Sequence, residues 1–510
     1  MSTTAGSQAR PGSHQAAPAP ATAVGASTVG MSAAEGLPRD GLVAVVKRDC
    51  PTCRLVEPVL AQLPGVLVFS QDDPEFPESV PNVRDDTDLD VSLALDIDTV
   101  PTLLRFSGGV EVERTVGWLR TAWEDLTGLP GLGPDLPEHR PGCGSRTGDP
   151  DLADELLVRT HGDRLRSRRV ELSALEDEIE ALFDRGWSDG LPVVPPTPAR
   201  VLRMLAGTSR GPDEVVGVVP PNLAEVTVEK VAVNAVLAGC RPEYLPVVLA
   251  AVHAACTDEF NAHGLLATTW GAGPAIVVNG PVARSIGMNS GGNALGQGNR
   301  ANLTIGRALQ LVIRNVGGGR PGEVDRAALG QPGKVGFCFA EDERGSPWEP
   351  LSVSRGIAPD ASAVTVFAAE GARGLADQIS RTPESLARSL AAGLRGVAHP
   401  KLVTGFDATL VVCPEHARVF SQAGWSRATL EAALGEALLL QPAEIARGAD
   451  GIEEGVPAQL ATRPLPKFRP GGLMIVHAGG AAGMFSTVIG GWVGGPGGSQ
   501  PVTTEVTAWT

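Results

Sequence analysis

The sequence predicts an α/β protein, with a small domain followed by a larger layered one, and three observations carry that expectation. The 510 residues exceed what one ordinary domain holds. Short apolar runs, such as 42–46 and 275–278, alternate with stretches of helical spacing, the texture of sheets covered by helices. Glycine (63) and proline (42) break the chain so often that long helices are expected in few segments. The resulting division is a disordered N-terminal segment over 1–38, a first domain over 39–128, a linker over 129–171 and a second domain over 172–510.

Residues 1–38 are rich in Ala, Ser, Gly and Pro and hold no apolar core of the kind a signal peptide needs. Leu42 to Val46 reads as a buried strand, and Cys53 to Leu63 as the helix after it. Between them lies Cys50-Pro-Thr-Cys53. This spacing puts the first thiol at a helix N-terminus, where free amides and the helix dipole favour a thiolate, and the second thiol one turn on. Leu103 to Phe106, a Ser107-Gly-Gly109 turn and Val110 to Glu113 read as a strand, turn and strand. A helical stretch to Leu126 completes the first domain.

The order of these features resembles the thioredoxin superfamily over roughly residues 39–128. Pro58 stands where that family kinks its helix, and Thr99-Val-Pro101-Thr102 matches its cis-proline segment. The resemblance implies a thioredoxin-like domain with a redox-active Cys50–Cys53 disulfide and a substrate lying against Pro101. Two departures are visible. The buried acid that serves the second thiol in the family is replaced by Ala44, and the aromatic residue before the motif gives way to Lys47-Arg48-Asp49. Lys47 and Arg48 favour a thiolate by charge while Asp49 opposes it.

In the linker, the stretch from His139 to Arg146 holds Cys143 among glycines, read either as a third redox thiol or as an incidental one. Leu172 to Phe183 predicts an amphipathic helix with Ser173 and Glu176 as a capping box. Val193 to Pro196 is extended but not a central strand, because prolines remove ladder donors. Helices are expected after Thr197, over Glu225–Ala238, Tyr244–Ala255, Leu303–Asn315, Gly374–Ser380, Pro383–Leu394 and Arg427–Leu440. Four buried strands are expected at Ala275–Val278, Val364–Phe367, Leu410–Val412 and Leu473–Val476.

Residues 186–197, 227–234 and 237–246 carry Gly-Trp-Ser-Asp-Gly-Leu-Pro-Val-Val-Pro-Pro-Thr, Thr-Val-Glu-Lys-Val-Ala-Val-Asn and Leu-Ala-Gly-Cys-Arg-Pro-Glu-Tyr-Leu-Pro. These stretches resemble a family of bacterial α/β proteins without an assigned reaction. Its association with small redox proteins bearing a selenocysteine/cysteine-Gly-Ser-Cys motif implies thiol or selenol chemistry and a small redox partner protein. Cys143-Gly-Ser145 echoes that motif, but Arg146 replaces its last cysteine.

Polar residues in glycine-rich turns are the candidates for a second site. Asn279, Asn289, Ser290, Asn299, Arg300 and Asn302, with His263, are read as binding a small anionic substrate, Arg300 gripping its charge. The alternative is that these asparagines satisfy turns. His477, just after a strand, is the acid/base candidate. Glu341 and Glu349 are possible carboxylates, and Cys240, between Gly239 and Arg241, is a candidate partner thiol. The other cysteines, Cys413 included, read as small buried hydrophobes.

A net charge of −16 and a single tyrosine argue against nucleic acid or an anionic membrane as partners, and no apolar run approaches a membrane span. Seven scattered cysteines are not a secreted disulfide framework, so a cytoplasmic location is expected. Histidine and cysteine never fall at metal-ligand spacing, so no metal is expected, and no cofactor beyond the cysteine pair. The functional expectation is a thiol–disulfide-coupled oxidoreductase whose CxxC exchanges electrons with chemistry on a small substrate in the second domain. Sulfur transfer or carbon–sulfur chemistry on a Cys50 persulfide, and a non-catalytic adaptor, are the alternatives. Oligomeric state is open at this point.

Overall fold

A computed structural model describes residues 37–173 and 175–507. The chain forms two compact units, one reaching to Leu156 and the other beginning at Leu157. Nearly all of the segment 1–38, expected to be disordered, lies outside the described residues.

The first unit is built on strands β1 (Gly41–Val46), β2 (Leu67–Ser70), β3 (Val83–Asp85), β4 (Thr99–Val100), β5 (Thr102–Ser107) and β6 (Val110–Val116), and helices α1 (Pro51–Leu60), α2 (Asp90–Ala94) and α3 (Arg120–Thr127). Five of the strands form one mixed sheet in the order β3-β2-β1-β5-β6. The central β1 runs parallel to β2 and antiparallel to β5. Val43, Ala44, Val45 and Val46 are all fully buried, so β1 is covered on both faces, which is why it reads as an unbroken apolar run. Proline at N1 starts α1 directly behind Cys50, and Pro58 lies within it. Trp118 and Trp123 pack edge to face, 5.2 Å between ring centres, in the core of the unit.

The segment read as a linker is ordered in its first half and belongs to this unit. β7 (Trp118–Leu119) pairs with β8 (His139–Arg140), and β9 (Cys143–Gly144) pairs antiparallel with β4. This close approach depends on glycine. A Cβ at Gly142 would stand 2.8 Å from the Val100 carbonyl oxygen and 2.5 Å from Thr99 Cγ2. Helix α4 (Ala153–His161) follows.

The second unit starts with short helices α5 (Glu178–Asp184) and α6 (Pro198–Leu205), a hairpin of β10 (Val215–Val219) and β11 (Ala224–Thr227), and helices α7 (Val228–Ala238), α8 (Leu245–Ala255) and α9 (Ala262–Ala267). Its first sheet has the order β13-β12-β14-β21, made of β12 (Gly273–Asn279), β13 (Cys338–Ala340), β14 (Ala363–Ala369) and β21 (Val502–Glu505). Helices α10 (Pro281–Ser285), α11 (Arg300–Asn315) and α12 (Leu351–Ser354) lie between these strands in sequence. The second sheet, β15-β20-β16-β19, comprises β15 (Ala372–Ala376), β16 (Phe406–Val412), β19 (Leu473–His477) and β20 (Phe485–Val493). Helices α13 (Pro383–Arg395), α14 (Pro414–Gln422), α15 (Arg427–Ala437) and α16 (Pro442–Ile445), and a small pair β17 (Leu439–Leu440) and β18 (Leu465–Pro466), complete it.

Strand alternation explains how the two sheets stack. Ala275, Val277, Phe367, Val411, Val476 and Ile489 share one core between the sheets. Their neighbours Ile276, Val278, Val364 and Val366 face α7, α8 and α11, while Leu410, Val412, Ile475 and Val488 face α13, α14 and α15. The result is a four-layer helix–sheet–sheet–helix sandwich, with every central strand buried on both sides.

All four expected buried strands form. The helix expected over Gly374–Ser380 does not: its first three residues end β15, an edge strand paired with β20, and 377–380 are irregular. Most of β15 is exposed, so the apolar alternation that marks a strand is missing. Residues 172–177 precede the helix expected there. Asp177 caps α5 instead, its carboxylate accepting the Ile179 and Glu180 amides, although the Ser173 amide does donate to Glu176. The helix expected from Glu225 begins at Val228, behind the Thr227 cap. No described helix is long and apolar enough to cross a membrane.

Candidate functional site

Two constellations stand out, one in each unit. In the first, Cys50 is the N-cap of α1, its sulfur accepting the Cys53 amide at 3.3 Å. The same sulfur lies 3.5 Å from the Val100 carbonyl oxygen, to which it donates when protonated. The Val100–Pro101 peptide is cis. Cys53 is deeper, and its sulfur accepts the Lys47 amide at 3.5 Å. Both are free thiols.

The two thiols differ sharply in acidity. A hydrogen bond from the Cys53 thiol brings Cys50 down to about 5; burial opposes this, and Cys143 and the amides of Cys53 and Thr52 add to it. Burial, together with the neighbouring Cys50 charge, pushes the Cys53 thiol far up. Ala44, fully buried in β1, offers no proton acceptor in place of the acid expected from the family resemblance. The charged flank is tied elsewhere: Arg48 pairs with Asp73 and Glu78, and Asp72 takes the amides of Arg48 and Asp49.

The third thiol, Cys143, lies on the neighbouring strand. It stands opposite Val100 in the β4–β9 ladder, and the Val100 carbonyl oxygen is the one that lies 3.5 Å from the Cys50 sulfur. Burial, then the Cys50 thiol and its charge, raise its pKa, while Lys47 acts in the other direction.

In the second unit the functional side chains gather where the parallel strands of the two sheets end. β12 ends at Asn279 and the parallel β13 leads into Glu341 and Asp342; β19 ends at His477 and the parallel β16 leads into Cys413. The sheet ends are stitched together, with the Asp342 amide donating to the His477 carbonyl at 2.8 Å. Glu341, buried, accepts from Asn279 Nδ2 and from the Leu351 amide, both at 2.7 Å, with Arg427 at 3.5 Å. Burial raises its pKa.

His477 is fully buried and neither ring nitrogen has a hydrogen-bond partner. Asp342 Oδ2 lies 3.9 Å from Nε2. Burial lowers the histidine's pKa, with Asp342 acting against it, so the ring is neutral at pH 7. A neutral imidazole is the form a general base needs.

The glycine-rich loop reaches this histidine. The Gly479 amide donates to the Ser290 carbonyl at 2.8 Å, and Gly480 lies against Gly292. Its asparagines, however, hold the loop itself. Asn302 donates to the carbonyls of Asn289 and Ala294 and accepts the Asn289 amide; Asn299 caps α11 and donates to Gly287; Asn289 donates to Gly292. Arg300 donates to the Gly239 carbonyl at 2.9 Å rather than to any group at the strand ends. His263 is exposed on α9, and the Glu349 side chain is exposed. Cys240 is buried against the Thr304 carbonyl, and burial pushes its thiol up to about 12, the reverse of what a partner thiol requires.

One pair lay outside the sequence expectations. Cys413 is the N-cap residue of α14, and His416 lies one turn on, both buried. Although burial disfavours both charged forms, their mutual hydrogen bond holds Cys413 below and His416 above the ordinary values. The imidazole also bonds Ser486 Oγ at 2.7 Å and the Asp377 carbonyl at 3.0 Å. The signal was present as Cys413-Pro-Glu-His416, a cysteine and a histidine one helical turn apart behind an N1 proline.

Among the described residues, no group of three or more His, Cys, Asp or Glu side chains is placed to hold a metal ion. Comparison with family models, curated proteins and solved structures gives no match to this chain.

Proposed function

We propose that the first unit is a thioredoxin-like thiol–disulfide exchange domain, and that it exchanges two electrons with chemistry on a small molecule handled by the second unit. The observation that carries this reading is the Cys50 sulfur: it caps a helix, accepts an amide, and is held near a pKa of about 5 beside a second thiol. Such a sulfur is a thiolate at neutral pH and a competent nucleophile. It attacks one sulfur of a substrate disulfide, forming a mixed disulfide and releasing one thiolate. Cys53 then attacks the Cys50 sulfur, releasing the second substrate thiolate. The pair is oxidised by two electrons and the substrate reduced by two; the Cys53 proton goes to one leaving sulfur, and the other leaves as a thiolate that takes its proton from solvent.

In the second unit, His477 is the proposed base and Asn279 and Glu341 its polar surroundings. What supports this is a neutral imidazole with two unpartnered nitrogens at the carboxyl ends of parallel strands. Asp342 beside the ring and Glu343, which accepts from Asn279, the Gly280 amide and Arg284, make these surroundings acidic. The substrate proposed for the cluster is therefore a small polar molecule with donors to offer.

The test is intact-mass analysis of a Cys53→Ser variant exposed to oxidised glutathione. A glutathione adduct on Cys50, or a disulfide formed through it, supports exchange. Cys50 left unmodified in both wild type and variant sinks the proposal. A single extra sulfur on Cys50 after purification, removed by reductant, would mean sulfur transfer instead.

A further inference from the structure

The segment from His139 to Arg146 lies as a strap across the thiol site. Its backbone pairs Cys143 with Val100 and Gly144 with Thr99, and the Ser145 amide donates to the Asp98 carbonyl at 2.9 Å. Thr52, inside the CxxC, donates its hydroxyl to the Pro141 carbonyl at 2.7 Å. Gln71 grips the far end, bonding Ser145 Oγ at 2.6 Å and accepting the Arg146 amide at 3.1 Å. Under this strap Cys50 has no exposed surface, an unusual condition for an attacking thiol. Cys143 is itself only half-buried, and its pairing partner Val100 is the residue whose carbonyl oxygen lies 3.5 Å from the Cys50 sulfur.

We propose that the strap is an internal substrate of the first unit, and that Cys143 is a second resolving thiol which closes a Cys50–Cys143 disulfide. This rests on the reading of Cys50 as an exchange nucleophile. A low-mass disulfide such as oxidised glutathione supplies the oxidising equivalents. Cys50 attacks it, forming a Cys50–glutathione bond and releasing glutathione thiolate. The Cys143 thiolate attacks the Cys50 sulfur, that bond breaks, and a second glutathione leaves. Two cysteine thiols lose two electrons and two protons, and one disulfide becomes two thiols.

Three features favour Cys143 in this role. Backbone pairing at Val100 holds it in the strand next to the Cys50 contact, so the second step is intramolecular. Forming the mixed disulfide removes the Cys50 charge, and with it the repulsion that opposes ionisation of Cys143; Lys47 then acts on Cys143 unopposed by that charge. The competing thiol, Cys53, sits in apolar surroundings above Ala44, without an acid to take its proton.

The experiment uses the full chain with Cys53→Ser, Cys143→Ser and both substitutions, treated with oxidised glutathione and read by intact mass and peptide mapping. The Cys53→Ser protein should lose two hydrogens and yield one cross-linked peptide pair containing Cys50 and Cys143. The double variant should instead accumulate a stable glutathione adduct on Cys50. If Cys53→Ser alone retains that adduct while Cys143 stays free, the resolving role is overturned and the exchange function stands. If Cys50 takes up no glutathione in any variant, both fall. Cys143→Ser should still form a Cys50–Cys53 bond, showing that the serine variants fold.

Discussion

The same local design occurs once in each unit, with different chemistry. Cys50-Pro-Thr-Cys53 and Cys413-Pro-Glu-His416 both begin with a cysteine at the N-cap of a helix, a proline at N1 and a partner one turn on. Both follow a buried strand, and both thiols are held below their ordinary pKa. The partner separates them. A thiol at the fourth position can be oxidised together with the first, which is the couple the proposed exchange function requires. An imidazole can only share a proton, and His416 is itself anchored in its buried site by Ser486 and the Asp377 carbonyl. Both thiols are held below their ordinary pKa, and the partner at the fourth position sets what each could do.

Removing each cysteine in turn is the sharpest way to break this contrast. Cys50→Ala should reduce turnover of a low-mass disulfide to the uncatalysed background, because no other thiol of the unit is a thiolate at pH 7. Cys413→Ala should leave turnover by the first unit unchanged. Equal losses in the two variants, measured by thiol release from oxidised glutathione, would erase the distinction.

The second largest effect is on pH dependence. Alkylation needs the thiolate, which accumulates as pH rises through the thiol's pKa. With Cys50 held at about 5, its rate with iodoacetamide should rise through that pH and flatten above it. An ordinary cysteine would still be climbing through about 8.5. At pH 6 the two cases differ by roughly three-hundredfold in thiolate fraction. Peptide-resolved alkylation across pH 4 to 9 reads the profile, and an inflection above about 7 would remove the basis for Cys50 as nucleophile.

His416→Ala addresses stability instead. It deletes the imidazole that lowers the Cys413 pKa and two hydrogen bonds in a buried site, with an expected loss of about 2 kcal/mol. The urea transition of the second unit should shift to lower denaturant while turnover by Cys50 is unaffected. An unshifted midpoint would mean these His416 contacts contribute nothing to the fold.

How much of this could be read from the sequence depends on the range of the contacts. Cys50, its helix and the apolar strand before it were legible because each is local: an unbroken valine-rich run, a proline at N1, two thiols one turn apart. His477 was legible as a residue at a strand end, and the loop from Ser290 does reach it. The asparagines of that loop were read as ligands, yet their amides close turns among themselves, a choice that composition alone leaves open. β15 was taken for a helix because an exposed edge strand shows no alternation, and β20 was missed because glycines interrupt it. The stacking of two sheets was hidden for another reason. Strands buried on both faces are apolar at every position, so nothing in them tells which residues face helices and which face the other sheet. The strap was hidden most completely, since it depends on Val100 meeting Cys143 through backbone atoms that carry no sequence signature.

The strap also supplies the smallest and most local test of the contrast between the two cysteines. Gly142 faces the Thr99 methyl and the Val100 carbonyl so closely that a single methyl group has no room, and the Val100 oxygen is backbone that cannot swing aside. Gly142→Ala should therefore lift the 141–144 backbone away from β4 and break the Thr52–Pro141 hydrogen bond, while the α1 cap, which comes from Cys50 itself, stays. Cys50 then gains solvent access while keeping the Cys53 amide and thiol, so its alkylation at about pH 8 should quicken several-fold. Cys413, with no strap over it, should react at an unchanged rate in the same sample. A slower Cys50 in Gly142→Ala would show that the strap activates the thiol and does not shield it, and would leave burial alone as the restraint on Cys413.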